Sequence, residues 1–183
     1  MREGLAITSA TSADAAEIAA LYAHHVLHGV ATFEIVPPDA EAMARRIRSR
    51  LDAGHPWLVA RDAGGTMLGY AYAGRFHPRE AYRFTCEDSI YLAHDRLGRG
   101  IGAALLAALI EAAQAVGFRQ MIAQIVVLPE GGEGASIPLH RRFGFTEAGR
   151  TRAVGRKFGR WLDVITMQRA LGPGDGAPPA KEP

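Results

Sequence analysis

The sequence lacks the features that mark secreted and membrane proteins. Cys86 is the only cysteine in 183 residues, so no intrachain disulfide can form, which agrees with a reducing compartment. The N-terminus carries no export-signal pattern, and the apolar stretch over residues 103–110 is far too short to cross a bilayer. We therefore expect a cytoplasmic protein with no membrane partner.

The sequence also has little net charge. Its formal net charge is +2, with 48% hydrophobic and 22% charged residues, which is ordinary for one soluble globular domain. Basic residues are concentrated over residues 141–169, and this end of the chain favours a small anionic ligand. No basic ribbon with interleaved aromatic residues accompanies them, so we expect no nucleic-acid partner.

Apolar periodicity divides the chain into strands and helices. We expect a helix capped by Ser12 and Asp14, and further helices over residues 37–53, 103–116 and 136–143. Strands are predicted over residues 5–8, 57–61, 67–73, 82–92, 121–127, 146–154 and 161–167. These elements form one α/β domain over residues 1–171, and residues 172–183 are a Pro/Gly-rich tail too poor in apolar surface to order itself.

Three alternate glycines, Gly98, Gly100 and Gly102, stand between a predicted strand and an apolar helix. Glycines allow a tight turn that brings several backbone N–H groups to one ligand, and the helix adds the positive end of its dipole. The spacing therefore predicts a cradle for a pyrophosphate. Two other interpretations stay open: a dinucleotide fingerprint, although no acidic residue follows about twenty positions later, and a purely structural turn.

The cradle resembles the acetyl-CoA site of the GNAT acyltransferases, (Gln/Arg)-x-x-Gly-x-(Gly/Ala), with Leu97 at the first position. Further blocks are similar to the phosphinothricin and methionine sulfone (sulfoximine) N-acetyltransferases of that family, and they extend the resemblance over residues 7–171. These blocks are residues 31–34 (ATFE), 69–73 (GYAYA), 79–82 (REAY), 85–91 (TCEDSIY), 139–145 (LHRRFGF) and 155–164 (GRKFGRWLDV).

The resemblance implies a GNAT fold, a mixed and mostly antiparallel central sheet with helices on both faces. It also implies acetyl-CoA as co-substrate, a small amino-acid-like acceptor and a homodimer. The residues expected to bind acetyl-CoA are Ile90, Tyr91, Leu92, Leu97, Gly98, Arg99, Gly100, Ile101, Gly102 and Ser136. Those expected to contact the acceptor are Phe33, His77, Arg79, Tyr82 and Lys157.

Acetyl transfer to an amine requires a base, because an α-amino group near neutral pH is mostly ammonium. The resemblance assigns this role to Glu87, and strand alternation places Glu87 and Cys86 on opposite faces. His140 stands where related enzymes carry the residue that protonates the CoA thiolate, so it is expected to act as acid or to shape the site. A solvent-facing Glu87 and a packing His140 remain the structural alternatives.

Three further features bear on function. An acetyl-cysteine intermediate on Cys86 is a rival mechanism, but no histidine adjoins it in sequence. His24 and His28 share a helix face without a convincing third ligand, so we expect no metal. Glu133 stands where the resemblance has an Asn that contacts CoA. This departure leaves open a CoA-binding sensor domain with weak catalysis. A separate alternative keeps the fold and changes the acceptor to another small amine or a peptide N-terminus.

Overall fold

The computed structural model describes residues 4–130 and 134–179, and within them seven strands form one sheet in the order β1-β2-β3-β4-β5-β7-β6. The strands are β1 (Ala6–Ser9), β2 (Trp57–Arg61), β3 (Met67–Arg75), β4 (Thr85–Leu92), β5 (Gln120–Val127), β6 (Thr146–Lys157) and β7 (Arg160–Ala170). The helices are α1 (Ala15–His28), α2 (Ala40–Asp52), α3 (Ile101–Ala115) and α4 (Ser136–Arg142). None of the helices in these ranges is long and apolar enough to span a membrane.

The sheet is mixed. Strands β4 and β5 are parallel and are connected through α3, whereas the other neighbouring strands in the described ranges are antiparallel. A parallel pair needs a crossover connection, and α3 supplies it. The predicted fold class and the predicted strand-helix-strand unit are therefore confirmed.

Helices cover both faces of the sheet, because alternate residues of the same strand enter different cores. On one face Leu105, Leu106 and Leu109 of α3 are fully buried against Leu58 and Ala60 of β2. On the other face α1 and α2 pack on the intervening residues of β2, β3 and β4 through Ile18, Tyr22, Met43 and Ile47. Each fully buried aliphatic side chain contributes about 1.5–3 kcal/mol, so the two cores fix the sheet in place.

Three of the differences from the predicted bounds have a clear physical cause. Thr11, not Ser12, caps the first turn, since its side chain accepts a hydrogen bond from the N–H of Ala13. Strand β4 begins at Thr85, because the preceding residues Glu80–Tyr82 form a 3-10 turn. Strands β6 and β7 are longer than predicted, since they pair with each other over most of their length in an exposed hairpin that hydrophobic alternation does not mark.

The C-terminal tail was predicted from composition alone. In the structure residues 172–175 form turns and residues 176–179 form neither helix nor strand, and residues 180–183 lie outside the described ranges. The guanidinium of Arg119 donates hydrogen bonds to the carbonyl oxygens of Gly174 and Ala177. Composition cannot show this anchor, because it joins positions more than fifty residues apart.

Candidate active site

A split between β4 and β5 opens the centre of the sheet. Their parallel pairing runs only from the Thr85–Gln120 pair to the Asp88–Ala123 pair, although both strands continue beyond it. Residues 89–92 therefore pair with β3 on one edge and have no strand partner on the edge that faces β5. A small cavity of about 160 Å³ lies here, lined among others by Ser89, Ile90, Tyr91, Gln124, Ser136 and His140.

The predicted cradle lies at the end of β4 and at the start of α3. Gly98 and Gly100 have φ angles of 74° and 75°, in the left-handed region that glycine adopts at little cost. Gly100 is the N-cap of α3 and has no side chain, so the N-cap residue makes no side-chain hydrogen bond to the first amides of the helix. The side chain of Leu97 is 61% exposed, and the free amides fit a pyrophosphate.

The three β4 residues predicted to contact acetyl-CoA differ in their surroundings. Ile90 packs on the α3 core, while Tyr91 belongs to the α1 and α2 core, where its ring lies edge-on to that of Tyr22 at 5.0 Å. The carbonyl oxygen of Leu92 lies 2.8 Å from Nε2 of His25, which therefore carries the proton. The backbone of residues 90–92, which has no strand partner on this edge, is thus available to a ligand from the split.

Glu87 and Cys86 point to opposite faces of β4, as the alternation predicted. Cys86 is fully buried in the α3 core, where burial, together with the charge of Asp88, raises the pKa of its thiol far above the usual value. Glu87 is half-buried on the opposite face, one residue before the last β4–β5 pair. Burial and the neighbouring charge of Asp88 raise the pKa of Glu87, and the charge of Arg50 partly offsets them.

His140 forms a buried pair with Asp88, a residue that the sequence reasoning did not select. Nε2 of His140 lies 3.1 Å from Oδ2 of Asp88, and their side chains are 4% and 2% exposed. Nδ1 of His140 lies 2.8 Å from the carbonyl oxygen of Ser136, and a carbonyl can only accept. Burial alone would lower the pKa of His140, but the hydrogen bond and charge of Asp88, with the Ser136 carbonyl, outweigh burial and raise it.

Phe33 and Lys157 lie together at the β6–β7 hairpin. The ring of Phe33 lies against Gly155, where an added Cβ would come within 2.4 Å of the ring. The buried Nζ of Lys157 donates a hydrogen bond to the carbonyl oxygen of Thr32 at 2.9 Å, and desolvation lowers its pKa. Lys157 thus fastens the 31–34 segment to the hairpin.

The other predicted acceptor residues, His77, Arg79 and Tyr82, lie in the loop between β3 and β4. The rings of His77 and Tyr82 are 4.8 Å apart, and the backbone N–H of Arg79 donates to Nδ1 of His77 at 3.2 Å. These three residues do not line the cavity at the split or the larger cavity described next. The structure therefore brings them together with each other but not with His140.

A second cavity, of about 500 Å³, lies between α2 and the β2–β3 hairpin on the Glu87 side of the sheet. Its lining includes Arg46, Arg50, His55, Trp57, Tyr72 and Arg75. Sequence reasoning missed this group. Gly74 is the one signal that could have indicated it, since a glycine inside a strand often marks a close approach, and Nη1 of Arg50 occupies the space of its missing Cβ.

The histidines of α1 lie close to one another and to His94. His24 stacks on His94 at 4.0 Å and lies 5.0 Å from His28, but in residues 4–130 and 134–179 no group of three His, Cys, Asp or Glu residues could hold a metal ion. Glu133, the departure from the expected Asn, lies outside the described residues.

Comparison with known proteins agrees with this geometry. The family model described as an acetyltransferase (GNAT) domain matches residues 7–166. The chain belongs to the GNAT acetyltransferase family. Phosphinothricin N-acetyltransferase of Alcaligenes faecalis is 49% identical to this acetyltransferase over 162 residues, which are 88% of this chain and 80% of the relative.

Two further relatives cover almost the whole of this acetyltransferase. L-methionine sulfoximine/L-methionine sulfone acetyltransferase of Pseudomonas paraeruginosa is 44% identical over 94% of this chain and 98% of its own. The crystal structure of a phosphinothricin acetyltransferase from Sinorhizobium meliloti, in complex with AcCoA, superposes with a TM-score of 0.91 at 46% identity. That superposition covers 97% of this chain and 94% of the other, so the two proteins share the whole fold.

Proposed function

We propose that this acetyltransferase transfers the acetyl group of acetyl-CoA to the α-amino group of a small amino-acid-like acceptor, such as phosphinothricin, methionine sulfone or methionine sulfoximine. Transfer is direct, within a ternary complex. The observation that carries the proposal is the split between β4 and β5, with the uncapped start of α3 at one end and Glu87 where the split begins. The names of the relatives from Alcaligenes faecalis and Pseudomonas paraeruginosa give these compounds as their acceptors.

The cradle residues 97–102 and Ser136 hold the co-substrate in this proposal, with the unpaired backbone of residues 90–92. Free amides at a helix N-terminus suit a diphosphate, and the open strand edge suits the amides of the pantetheine arm. Acetyl-CoA supplies an activated thioester carbonyl. Because the cradle binds the pyrophosphate through backbone donors, Leu97 in place of a polar residue removes only one side-chain donor.

Glu87 acts as the general base. Its carboxylate accepts a proton from the acceptor's ammonium group, directly or through a water molecule, and so frees the nitrogen lone pair. The nitrogen then attacks the thioester carbonyl, and the new C–N bond forms as the C–S bond breaks with its electron pair leaving on sulfur. The second proton that the nitrogen loses passes through water to the thiolate, which leaves as the free thiol of CoA. A raised pKa supports this role, because a more basic carboxylate takes the amine proton more readily.

Of the two roles expected for His140, general acid and site-shaping residue, we assign the second. What supports this choice is that both ring nitrogens face oxygen atoms of the protein, Ser136 O and Asp88 Oδ2, so neither N–H is directed at a departing thiolate. The buried pair instead fixes α4 against β4 at the floor of the cavity. Phe33, Lys157 and the loop with His77, Arg79 and Tyr82 complete the acceptor side.

A homodimer in the cytoplasm is part of the proposal. Several large apolar side chains beside the acceptor side are exposed in the single chain: Ile35 (71%), Val36 (73%), Val154 (51%), Phe158 (55%) and Trp161 (57%). A second copy would cover such a surface. The expected size-exclusion result is a dimer that Trp161→Glu converts to a monomer.

The deciding experiment is an acetyl-CoA turnover assay with phosphinothricin, methionine sulfone and methionine sulfoximine side by side. Glu87→Gln should lower kcat by about 100- to 10,000-fold while calorimetric acetyl-CoA binding survives. Glu111→Gln, an exposed change on α3, is the matched control. Near-normal turnover of Glu87→Gln would refute the base assignment, and acetyl-CoA binding without transfer to any amine of a broad panel would favour a sensor domain.

A further inference from the structure

Arg50 differs from the other two arginines that line the 500 Å³ cavity. Arg46 forms a two-pronged pair with Glu34 at 2.8 and 3.1 Å, and Nη1 of Arg75 lies 3.3 Å from Oε2 of Glu80. In the described part of the chain the guanidinium of Arg50 has no hydrogen-bond acceptor and no salt bridge, although its charge acts on Glu87, and it lies over the ring of Tyr72 at 4.9 Å. A half-buried fork of donors is thus left open.

The guanidinium of Arg50 lies beside Glu87. Gly74 of β3 pairs directly with Glu87 of β4, and side chains of directly paired residues share one face of a sheet. A Cβ built on Gly74 would lie 1.4 Å from Nη1 of Arg50, so the guanidinium rests on the Gly74 backbone, on that same face. The open fork and the proposed base are therefore neighbours across one strand pair.

A second group in the cavity also lacks a partner. Trp57 is only 2% exposed and lines the cavity, and in residues 4–130 and 134–179 its Nε1–H finds no hydrogen-bond acceptor. Buried polar groups without partners are rare in folded proteins. A ligand that carries oxygen atoms would satisfy the Arg50 fork, and if the indole of Trp57 turns toward the cavity on binding, its N–H would be satisfied as well.

We propose that Arg50 binds the α-carboxylate of the acceptor through a two-pronged ion pair, and that the cavity takes the acceptor's side chain. This inference rests on the proposed function. The carboxylate and the amine of an α-amino acid share one carbon, so an anchor beside Glu87 brings the amine to the base. The sulfone or phosphinate oxygens then lie among Arg75, His55 and the indole N–H of Trp57.

The anchor defines the substrate class. A free α-amino acid carries a carboxylate next to its amine, whereas a peptide N-terminus carries an amide there and a simple amine carries neither. A fork of charged donors left without its carboxylate is costly, so Arg50 selects for the first class. The Arg50 anchor therefore favours free amino acids over the peptide and simple-amine alternatives.

The kinetic test compares methionine sulfone with its carboxamide. The wild-type protein should prefer the acid by about 10- to 100-fold in kcat/KM, the range for hydrogen bonds to charged groups. Arg50→Gln should bring this ratio close to one and Arg50→Lys should leave an intermediate ratio, since lysine keeps the charge and loses the fork. Arg48→Gln, an exposed change on the same helix, should keep the wild-type ratio. Comparing this ratio between variants cancels the lower basicity of the carboxamide's amine.

An unchanged acid-to-amide ratio in folded Arg50→Gln would overturn the proposal. Folding is checked by the KM for acetyl-CoA, and if Arg50→Gln does not fold, Arg50→Lys decides by the same ratio.

Binding gives an independent readout. The indole N–H signal of Trp57 in an NMR spectrum, assigned with Trp57→Phe, should shift when methionine sulfone is added to the CoA-bound protein and should stay in place for Arg50→Gln. A shift without acetyl transfer would refute the proposed function and keep this site. Turnover without a shift at saturating acceptor would keep the function and refute the site.

Discussion

The buried pair of Asp88 and His140 predicts a stability that depends on pH. Asp88→Asn keeps the shape of the side chain and removes its charge. In the wild-type protein the pKa of His140 is raised above its usual value, because Asp88 and the Ser136 carbonyl outweigh burial. In the Asp88→Asn variant, the charge of Asp88 no longer counteracts the effect of burial, so the pKa of His140 should fall. The ring should then become neutral and still donate its Nδ1–H to the carbonyl oxygen of Ser136.

The sign follows from proton linkage. A histidine whose folded-state pKa is raised contributes its full stability below the unfolded-state pKa, about 6.5, and loses it as pH rises through the folded-state pKa. The slope is at most about 1.4 kcal/mol per pH unit for one proton. Because both side chains are almost fully buried, we expect Asp88→Asn to be less stable than the wild-type protein by about 1–3 kcal/mol near pH 6. The deficit should shrink above pH 6.5.

Urea unfolding followed by circular dichroism between about pH 5.5 and 9 measures this deficit. Asp52→Asn removes an exposed carboxylate at the end of α2 and serves as the control, with little change at any pH. A deficit that stays constant with pH, or a variant as stable as the wild-type protein near pH 6, would show that Asp88 does not stabilise the protonated form of His140.

Three further predictions concern activity. Because burial and Asp88 raise the pKa of Glu87, kcat/KM should fall as pH drops through a value above the ordinary range of glutamate, and a rate profile flat down to about pH 4.5 would contradict this. Gly100→Ala forces a side chain onto a backbone φ of 75°, at a cost of about 1–2 kcal/mol, and should raise the KM for acetyl-CoA several-fold. The control is Gly54→Ala, which carries the same strain at a φ of 74° outside the split. This variant should be less stable but should keep the wild-type KM for acetyl-CoA. Cys86→Ala should keep most turnover, since the buried thiol is far from being ionised, and lost turnover in a folded variant would revive the acetyl-cysteine mechanism.

Local patterns in the sequence were enough to predict the order of the helices and strands and to assign residues to the two faces of β4. Alternation placed Glu87 and Cys86 on opposite sides, and alternate glycines before an apolar run marked the start of α3, because both patterns depend on neighbouring residues. The hairpin bounds were less accurate, since β6 is exposed along most of its length and carries no alternation.

The charged contacts could not be predicted in this way. Asp88 meets His140 across 52 positions, and Arg50 of α2 meets the backbone of Gly74 on β3. No period relates such positions, and each contact depends on how helices dock on the sheet. A glycine among larger strand residues at Gly74 indicates a close approach, but the sequence does not say which side chain fills the space.

One feature of β4 limits how this protein can change during evolution. The strand presents Glu87 to the helices α1 and α2 and the next residue, Asp88, to α4. Inserting or deleting a single residue of the strand before Glu87 would turn both carboxylates to the wrong side at once. We therefore expect descendants of this sequence to vary β4 by substitution, and to gain or lose residues only in the loops at its ends.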